Sequence, residues 1–312
     1  MKRSVFIFMA IVAAIIFMGY KNDEDVTSHD NNNTNVQHLQ KGTFDFGGNP
    51  RDYMVFLPKN YTGTQSFPLV IYLHSYGWTA QQGMSYTKLN LVADTAGFIV
   101  AYPSGNPNWN SGIADNPEWP IPDDDDVGFI NALIDTLGNH YSIDTKRVYA
   151  CGYSNGGFMA YKLACELSNR IAAIASVGGV MTESTTAGCN PVHTMPVLDI
   201  HGTEDWWVPF DGTGEWKSVN ITLNYWTGYN NCLEVDTVSL PDVYEADECT
   251  VVKISYTNCT NNSRVILYKV INGGHTWPGA GLPGFSHQGN VDNDFKASAE
   301  IWRFFKNYKL EK

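Results

Sequence analysis

Short apolar runs recur along the chain with helix-like stretches between them, and this alternation constrains the fold more than any other feature. The runs are RDYMVFLP (51–58), PLVIYLH (68–74), GFIVAYP (97–103), RVYACGY (147–153), IAAIASVGG (171–179), PVLDIHG (196–202) and RVILYKV (264–270). Each has the length of a strand, and most read as strands buried on both faces. DDVGFINALIDTLGNHY, GFMAYKLACELSNR and ASAEIWRFFKNY space their apolar residues for one helical face each. Strands alternating with helices predict an α/β fold in which a mostly parallel sheet is covered on both faces.

The first 20 residues place two basic side chains before an apolar run of signal-peptide length, and the chain then turns polar at KNDED. An export signal and a secreted or cell-envelope location are expected. Tyr20 stands where a lipobox cysteine would be, so a lipid anchor is not expected. No later run approaches a bilayer-spanning length, so no integral membrane span is expected in the mature chain. Residues 21–42 are rich in Asn and Asp and read as a flexible spacer, leaving residues 43–312 as one α/β domain. Segments 104–126 and 211–262 fit the alternation badly and read as insertions over the strand ends, where open α/β sheets place their sites.

The net charge is −12, with no basic cluster beyond the leader. Nucleic acid and anionic membranes are therefore poor partners, and an uncharged or weakly charged substrate fits better. Nothing in the sequence fixes an oligomeric state. Six cysteines in an exported chain suggest disulfides, while no CxxC pair or Cys/His spacing suggests a zinc site. PDDDD (122–126) invites a calcium reading, but a contiguous acidic run is better suited to capping the helix that follows.

GYSNG (152–156) matches G-x-S-x-G between a strand-like and a helix-like run, the setting in which a serine occupies a strained, exposed turn. A serine hydroxyl is a weak nucleophile until a histidine takes its proton, and that histidine needs an orienting carboxylate. Of the downstream histidines, His275 alone sits in a glycine-rich turn (NGGHTWPG) after an apolar strand. Asp205, just beyond the strand PVLDIHG, is the expected carboxylate, with Glu204 the alternative and Asp199 placed inside the strand. The oxyanion donors expected are the backbone N–H of Asn155 and that of Tyr76 in LHSYGWTA, with Ser75 possible for the second. His74 reads as a structural residue at a strand end.

LHSYGWTA, DDVGFINALID, RVYACGYSNGGFMAYKLACE, PVLDIHGTEDWWVPFDG and GGHTWPG, in that order, resemble the secreted esterases of carbohydrate esterase family 1, a lineage shared with polyhydroxybutyrate-depolymerase-like proteins. The resemblance covers approximately residues 42–308. It implies an α/β-hydrolase fold, a serine esterase, and a nucleophile, acid and base at Ser154, Asp205 and His275. The family's first loop usually reads His-Gly, whereas Ser75 follows His74 here. The resemblance also implies disulfides Cys165–Cys189 and Cys232–Cys259, leaving Cys151 and Cys249 unpaired.

Feruloyl or acetyl esters of plant polysaccharides such as xylan are the implied substrates, with polyesters the main alternative and a non-catalytic carbohydrate-binding protein a more distant one. Trp78, Trp109, Trp206, Trp207 and Trp277 are the expected substrate contacts, because flat aromatic faces suit sugar rings and phenolic acyl groups. Packing of the loops is the alternative for each. The chemistry calls for no metal and no organic cofactor.

Overall fold

The computed structural model describes residues 38–114, 120–214, 216–281 and 288–311. The expected export signal and residues 21–37 of the expected spacer lie outside the described residues. No helix among the described residues is long and apolar enough to cross a membrane.

Ten strands form one sheet in the order β1-β2-β4-β3-β5-β6-β7-β10-β9-β8. They are β1 (Leu39–Phe46), β2 (Asn49–Phe56), β3 (Phe67–Leu73), β4 (Ile99–Pro103), β5 (Ile143–Tyr153), β6 (Ala173–Val177), β7 (Val197–Gly202), β8 (Glu234–Ser239), β9 (Thr250–Thr257) and β10 (Val265–Ile271). The six from β4 to β10 in that order pair in parallel, while β1, β2, β9 and β8 join antiparallel at the two edges.

The central strands follow from their sequences. Every residue of β3, β4, β6 and β7 is buried, as continuous apolar runs require of a sheet covered on both faces. The covering helices are α1 (Ala80–Thr87), α2 (Leu89–Ala96), α3 (Asp126–His140), α4 (Asn155–Glu166), α5 (Glu183–Ala187), α6 (Val219–Tyr229) and α7 (Ala297–Phe305). The last of these seats Ile301, Phe304 and Phe305 in the core, and its Trp302 ring stacks on Phe98 with centroids 4.0 Å apart.

Three strands lie outside the seven apolar runs. β1 starts at Leu39, so regular structure begins inside the stretch assigned to the spacer. β8 is exposed at every position, and β9 is only half-buried over most of its length, so neither produces an apolar run. Segment 211–262 thus supplies α6 and an antiparallel pair that widens the sheet, rather than a loop lying over the strand ends.

The acidic run acts on its helix. Asp125 caps α3 by accepting the Gly128 N–H at 2.8 Å. Asp126 is buried against Arg51 at 2.6 Å and accepts the Asn110 N–H at 2.7 Å. These bonds hold the first insertion at the sheet's C-terminal edge. Both disulfides implied by the resemblance are present, Cys165–Cys189 and Cys232–Cys259, with Cys151 and Cys249 as buried free thiols.

Candidate active site

Ser154 joins β5 to α4 with φ 55° and ψ −118°, a backbone region that side-chain-bearing residues rarely occupy. Two glycines make that turn possible. A Cβ on Gly152 would lie 2.1 Å from the Gly156 carbonyl oxygen, and one on Gly156 would lie 2.0 Å from that of Leu73. The Ser154 N–H donates to the Val177 carbonyl at 2.9 Å, fixing the turn to the end of β6. Asn155 opens α4, where the first N–H groups of a helix have no acceptor within it.

Asp205 lies just past β7 and is buried. One of its oxygens accepts the N–H groups of Trp207 and Val208 at 3.0 and 2.8 Å, and the other meets His275 Nδ1 at 2.6 Å. That contact places the imidazole proton on Nδ1 and leaves Nε2 as the ring's acceptor. Burial alone would raise the Asp205 carboxyl, but His275, His201 and the Val208 amide more than offset it and hold its pKa below the usual range.

His275 sits in the turn after β10, held from three sides. Its N–H donates to Gln288 at 2.7 Å, its carbonyl accepts the Tyr153 hydroxyl at 2.6 Å, and its ring stacks on Tyr153 with centroids 5.1 Å apart. A Cβ on Gly178 would lie 3.0 Å from the His275 ring and 3.5 Å from Asp205 Oδ2. Gly178 directly follows Val177, which holds the serine's N–H, so the serine turn and the Asp–His pair meet at one strand end. A strained serine beside a histidine tied to a buried carboxylate is the arrangement that activates a hydroxyl for acyl transfer.

A family model described as phospholipase/carboxylesterase matches residues 62–234, more than half of the chain. The chain belongs to that family. It is a carboxylic ester hydrolase with the α/β-hydrolase fold. It is 32% identical over 158 residues to the bifunctional acetylxylan esterase/xylanase XynS20E of Neocallimastix patriciarum, covering 51% of this chain and 22% of that protein. It is 28% identical over 241 residues to feruloyl esterase B of Piromyces equi, covering 72% of this chain and 42% of the relative. An acetyl xylan esterase from Aspergillus awamori has the same fold, with a TM-score of 0.52 and 15% identity over 74% of this chain and 92% of that one.

In this esterase the β3–α1 loop abuts the serine turn, since Gly156 packs on the Leu73 and His74 carbonyls. Tyr76 is half-buried in that loop, and Ser75 is buried with its carbonyl accepting the Trp78 N–H at 3.1 Å. His74 is structural, as expected. Burial, with Arg51 nearby, lowers its pKa to about 4 against the opposing bond to Ser75, so the ring is neutral near pH 7. Nδ1 donates to the Ser75 carbonyl at 2.9 Å and Nε2 accepts the Gly105 N–H at 2.9 Å, linking two loops of the site.

The tryptophans divide. Trp109 and Trp277 are fully buried, contrary to their expected role as substrate contacts. The Trp109 indole donates to the His74 carbonyl at 3.0 Å, and its backbone amide and carbonyl bond the Asn155 side chain at 2.9 and 3.2 Å. Trp277 donates to Ser298 at 3.2 Å and packs edge-on to Tyr72 and Tyr153. Trp78 is 6% exposed, packed edge-on to Tyr86 and Tyr153, so it too serves the core. Trp206 is 48% exposed and stacks on half-buried Trp207 with centroids 4.4 Å apart, on the loop that wraps Asp205.

Glu204, the alternative acid, is exposed; His275 meets Asp205 instead. Three side chains of the site were not assigned this role from the sequence: Tyr153, the Asn155 amide and His201. His201 is buried between two carboxylates, with Nε2 3.4 Å from Asp205 and 2.8 Å from the Val208 carbonyl, and Nδ1 3.7 Å from Asp199. Burial opposes its protonation, but Asp199, Asp205 and the Val208 carbonyl outweigh burial and raise its pKa. Asp199 lies within β7, as expected, and accepts the Tyr161 hydroxyl at 2.6 Å.

Proposed function

We propose that this esterase is exported and cleaves feruloyl or acetyl esters on plant cell-wall polysaccharide through an acyl-serine intermediate. The observation that carries the mechanism is the 2.6 Å contact between His275 Nδ1 and buried Asp205, beside the strained turn of Ser154. His275 Nε2 takes the proton of Ser154, and the serine oxygen attacks the ester carbonyl. The Asn155 and Tyr76 N–H groups stabilise the tetrahedral anion, and protonated His275 returns the proton to the departing alcohol. A water molecule, deprotonated by the same histidine, then releases the acid and restores Ser154. Asp205 stays ionised and stabilises the imidazolium that forms in each half-reaction.

Three features support the substrate class. Feruloyl esterase B and the acetylxylan esterase/xylanase are relatives by sequence. The stacked Trp206–Trp207 pair keeps aromatic surface beside Asp205, suited to a phenolic acyl group or a sugar ring. Export is supported by the basic-then-apolar leader and by two disulfides, which persist in oxidising compartments.

The deciding experiment incubates purified protein with feruloylated, acetylated arabinoxylan and measures released ferulate and acetate, with Ser154→Ala as the blank. Ferulate lost in the variant supports a feruloyl esterase, and acetate alone points to a small acyl pocket. Release of neither, with activity on polyhydroxybutyrate, would replace the polysaccharide reading by a polyester one.

A further inference from the structure

Outside the serine site, an oxygen of Asp247, the sulfur of Cys249 and an oxygen of Asp292 lie within 4.8 Å of one another. Asp292 is fully buried, and neither of its carboxylate oxygens completes a hydrogen bond, the Asp294 and Phe295 amides approaching it without doing so. Asp294 Oδ2, two residues on, is also buried and unpartnered. None of the ion pairs among the described residues includes Asp247, Asp292 or Asp294. A buried carboxylate without a completed hydrogen bond or counter-charge is unfavourable, so a group from outside the chain or a captured proton has to compensate it.

We propose that Asp247, Cys249 and Asp292 are the ligands of a structural divalent cation of the zinc class. The donor set selects the metal. Calcium and magnesium take oxygen ligands, whereas zinc accepts thiolate and carboxylate together in a four-coordinate site, with water or Asp294 completing this one. Binding forms metal–sulfur and metal–oxygen bonds and releases the Cys249 proton, with any proton on Asp292, to solvent.

The site is partly pre-assembled. Asp247 accepts the Cys249 N–H at 2.9 Å through one oxygen and the Asn293 N–H at 2.8 Å through the other. A cavity of about 290 Å³, lined in part by Asp247, Glu248, Gly289, Asn290 and Asn293, adjoins the cluster on the Asp247 side.

Its position gives the cation a structural task. Asp247 and Cys249 precede β9, whereas Asp292 follows the segment that braces the turn of His275. In that segment Asn290 accepts the Gly274 N–H at 3.0 Å and the Thr276 hydroxyl at 3.1 Å, and Gln288 accepts the His275 N–H at 2.7 Å. The ion fastens the edge of the sheet to this brace. No metal was expected from the sequence, in which no CxxC pair or Cys/His spacing suggests a zinc site.

The test uses the full purified protein, stripped with a chelator and titrated with Co²⁺, Zn²⁺ or Ca²⁺. The expected result is one equivalent of Co²⁺ bound with a sulfur-to-cobalt absorption band, displaced by Zn²⁺. Cys249→Ser loses the band and Asp292→Asn loses binding. Because Asp292→Asn removes an uncompensated charge, it melts above the metal-free wild type and below the zinc-loaded one, an order that a merely damaged variant would not give. The proposal is overturned by absence of the band, by equal Zn²⁺ binding in wild type and both variants, or by melting temperatures that ignore Zn²⁺. Stabilisation by Ca²⁺ that is indifferent to Cys249→Ser also overturns it. None of these readouts uses ester hydrolysis, so they stand apart from the fate of the Ser154 mechanism.

Discussion

The Tyr153 hydroxyl donates to the backbone carbonyl of His275 at 2.6 Å, and the two rings stack. Tyr153 immediately precedes Ser154, so the strand that presents the serine also holds the turn of the histidine. Gln288 donates to the same hydroxyl at 3.1 Å, which ties the brace of His275 into the contact. Tyr153→Phe keeps the ring and leaves buried polar groups unpaired, at a cost of about 1–3 kcal/mol. Since the hydroxyl positions the histidine without touching substrate, kcat falls by about tenfold and KM changes little. Steady-state kinetics on a chromogenic ester check this; a change confined to KM would show that Tyr153 acts on substrate binding.

The two neighbouring acids give a clean contrast. Asp205 is buried and meets His275, whereas Glu204 is exposed. Asp205→Asn favours the wrong imidazole tautomer and lowers kcat by up to about 10⁴-fold, while Glu204→Gln stays close to wild type. Fluorophosphonate labelling rates should follow the same order, and the opposite order would move the acid to Glu204.

Much of this was legible because catalysis and parallel strands leave regular marks. All seven apolar runs became strands, and Ser154, Asp205 and His275 occupy turns at the C-terminal ends of β5, β7 and β10. What escaped was whatever depends on three-dimensional partners. β8 is exposed along its length and carries no apolar run. Trp109 sits among Asn and Pro, where an exposed ring is the natural reading, yet the His74 carbonyl and the Asn155 side chain give its polar groups partners that permit burial. For His201 one signal existed: Asp199-x-His201 places both side chains on one sheet face by the strand period of two.

His201 makes stability depend on pH in a defined direction. Its folded pKa is raised, so its contribution is fully present below the ordinary histidine value of about 6.5 and is lost as pH rises through the folded value. Asp205, whose pKa is lowered, acts at the other end: its contribution holds above about 3.9 and is lost as pH falls through its folded value. Urea unfolding of wild type and His201→Gln across pH 5 to 9 should show a gap that is widest in acid and narrows with rising pH. A gap that stays constant would mean that His201 is not preferentially protonated in the fold.

The second disulfide, Cys232–Cys259, links the end of α6 to the end of β9 across a sequence separation of 27. Removing that cross-link frees the unfolded chain, and for a loop of this size the expected loss is about 3.5 kcal/mol. A Cys232→Ala/Cys259→Ala protein should lose that much in urea unfolding while keeping its kcat, because neither cysteine contacts the Ser154 turn. A large loss of kcat with native stability would mean that this edge of the sheet shapes the site.

Trp206 and Trp109 separate recognition from packing. The Trp206 ring is largely exposed and stacked on Trp207, whereas Trp109 has no exposed surface. If the exposed pair receives the phenolic acyl group, Trp206→Ala weakens binding of a feruloyl ester by ~1.4 kcal/mol, a KM increase of about tenfold. An acetyl ester, which has no ring to stack, keeps its KM, and the folded protein keeps its melting temperature. Trp109→Ala has the opposite signature: it opens a core cavity, removes the indole donor to the buried His74 carbonyl and lowers stability by about 3–5 kcal/mol. Equal effects of Trp206→Ala on feruloyl and acetyl esters would place the acyl group elsewhere and leave the exposed pair for the polysaccharide chain.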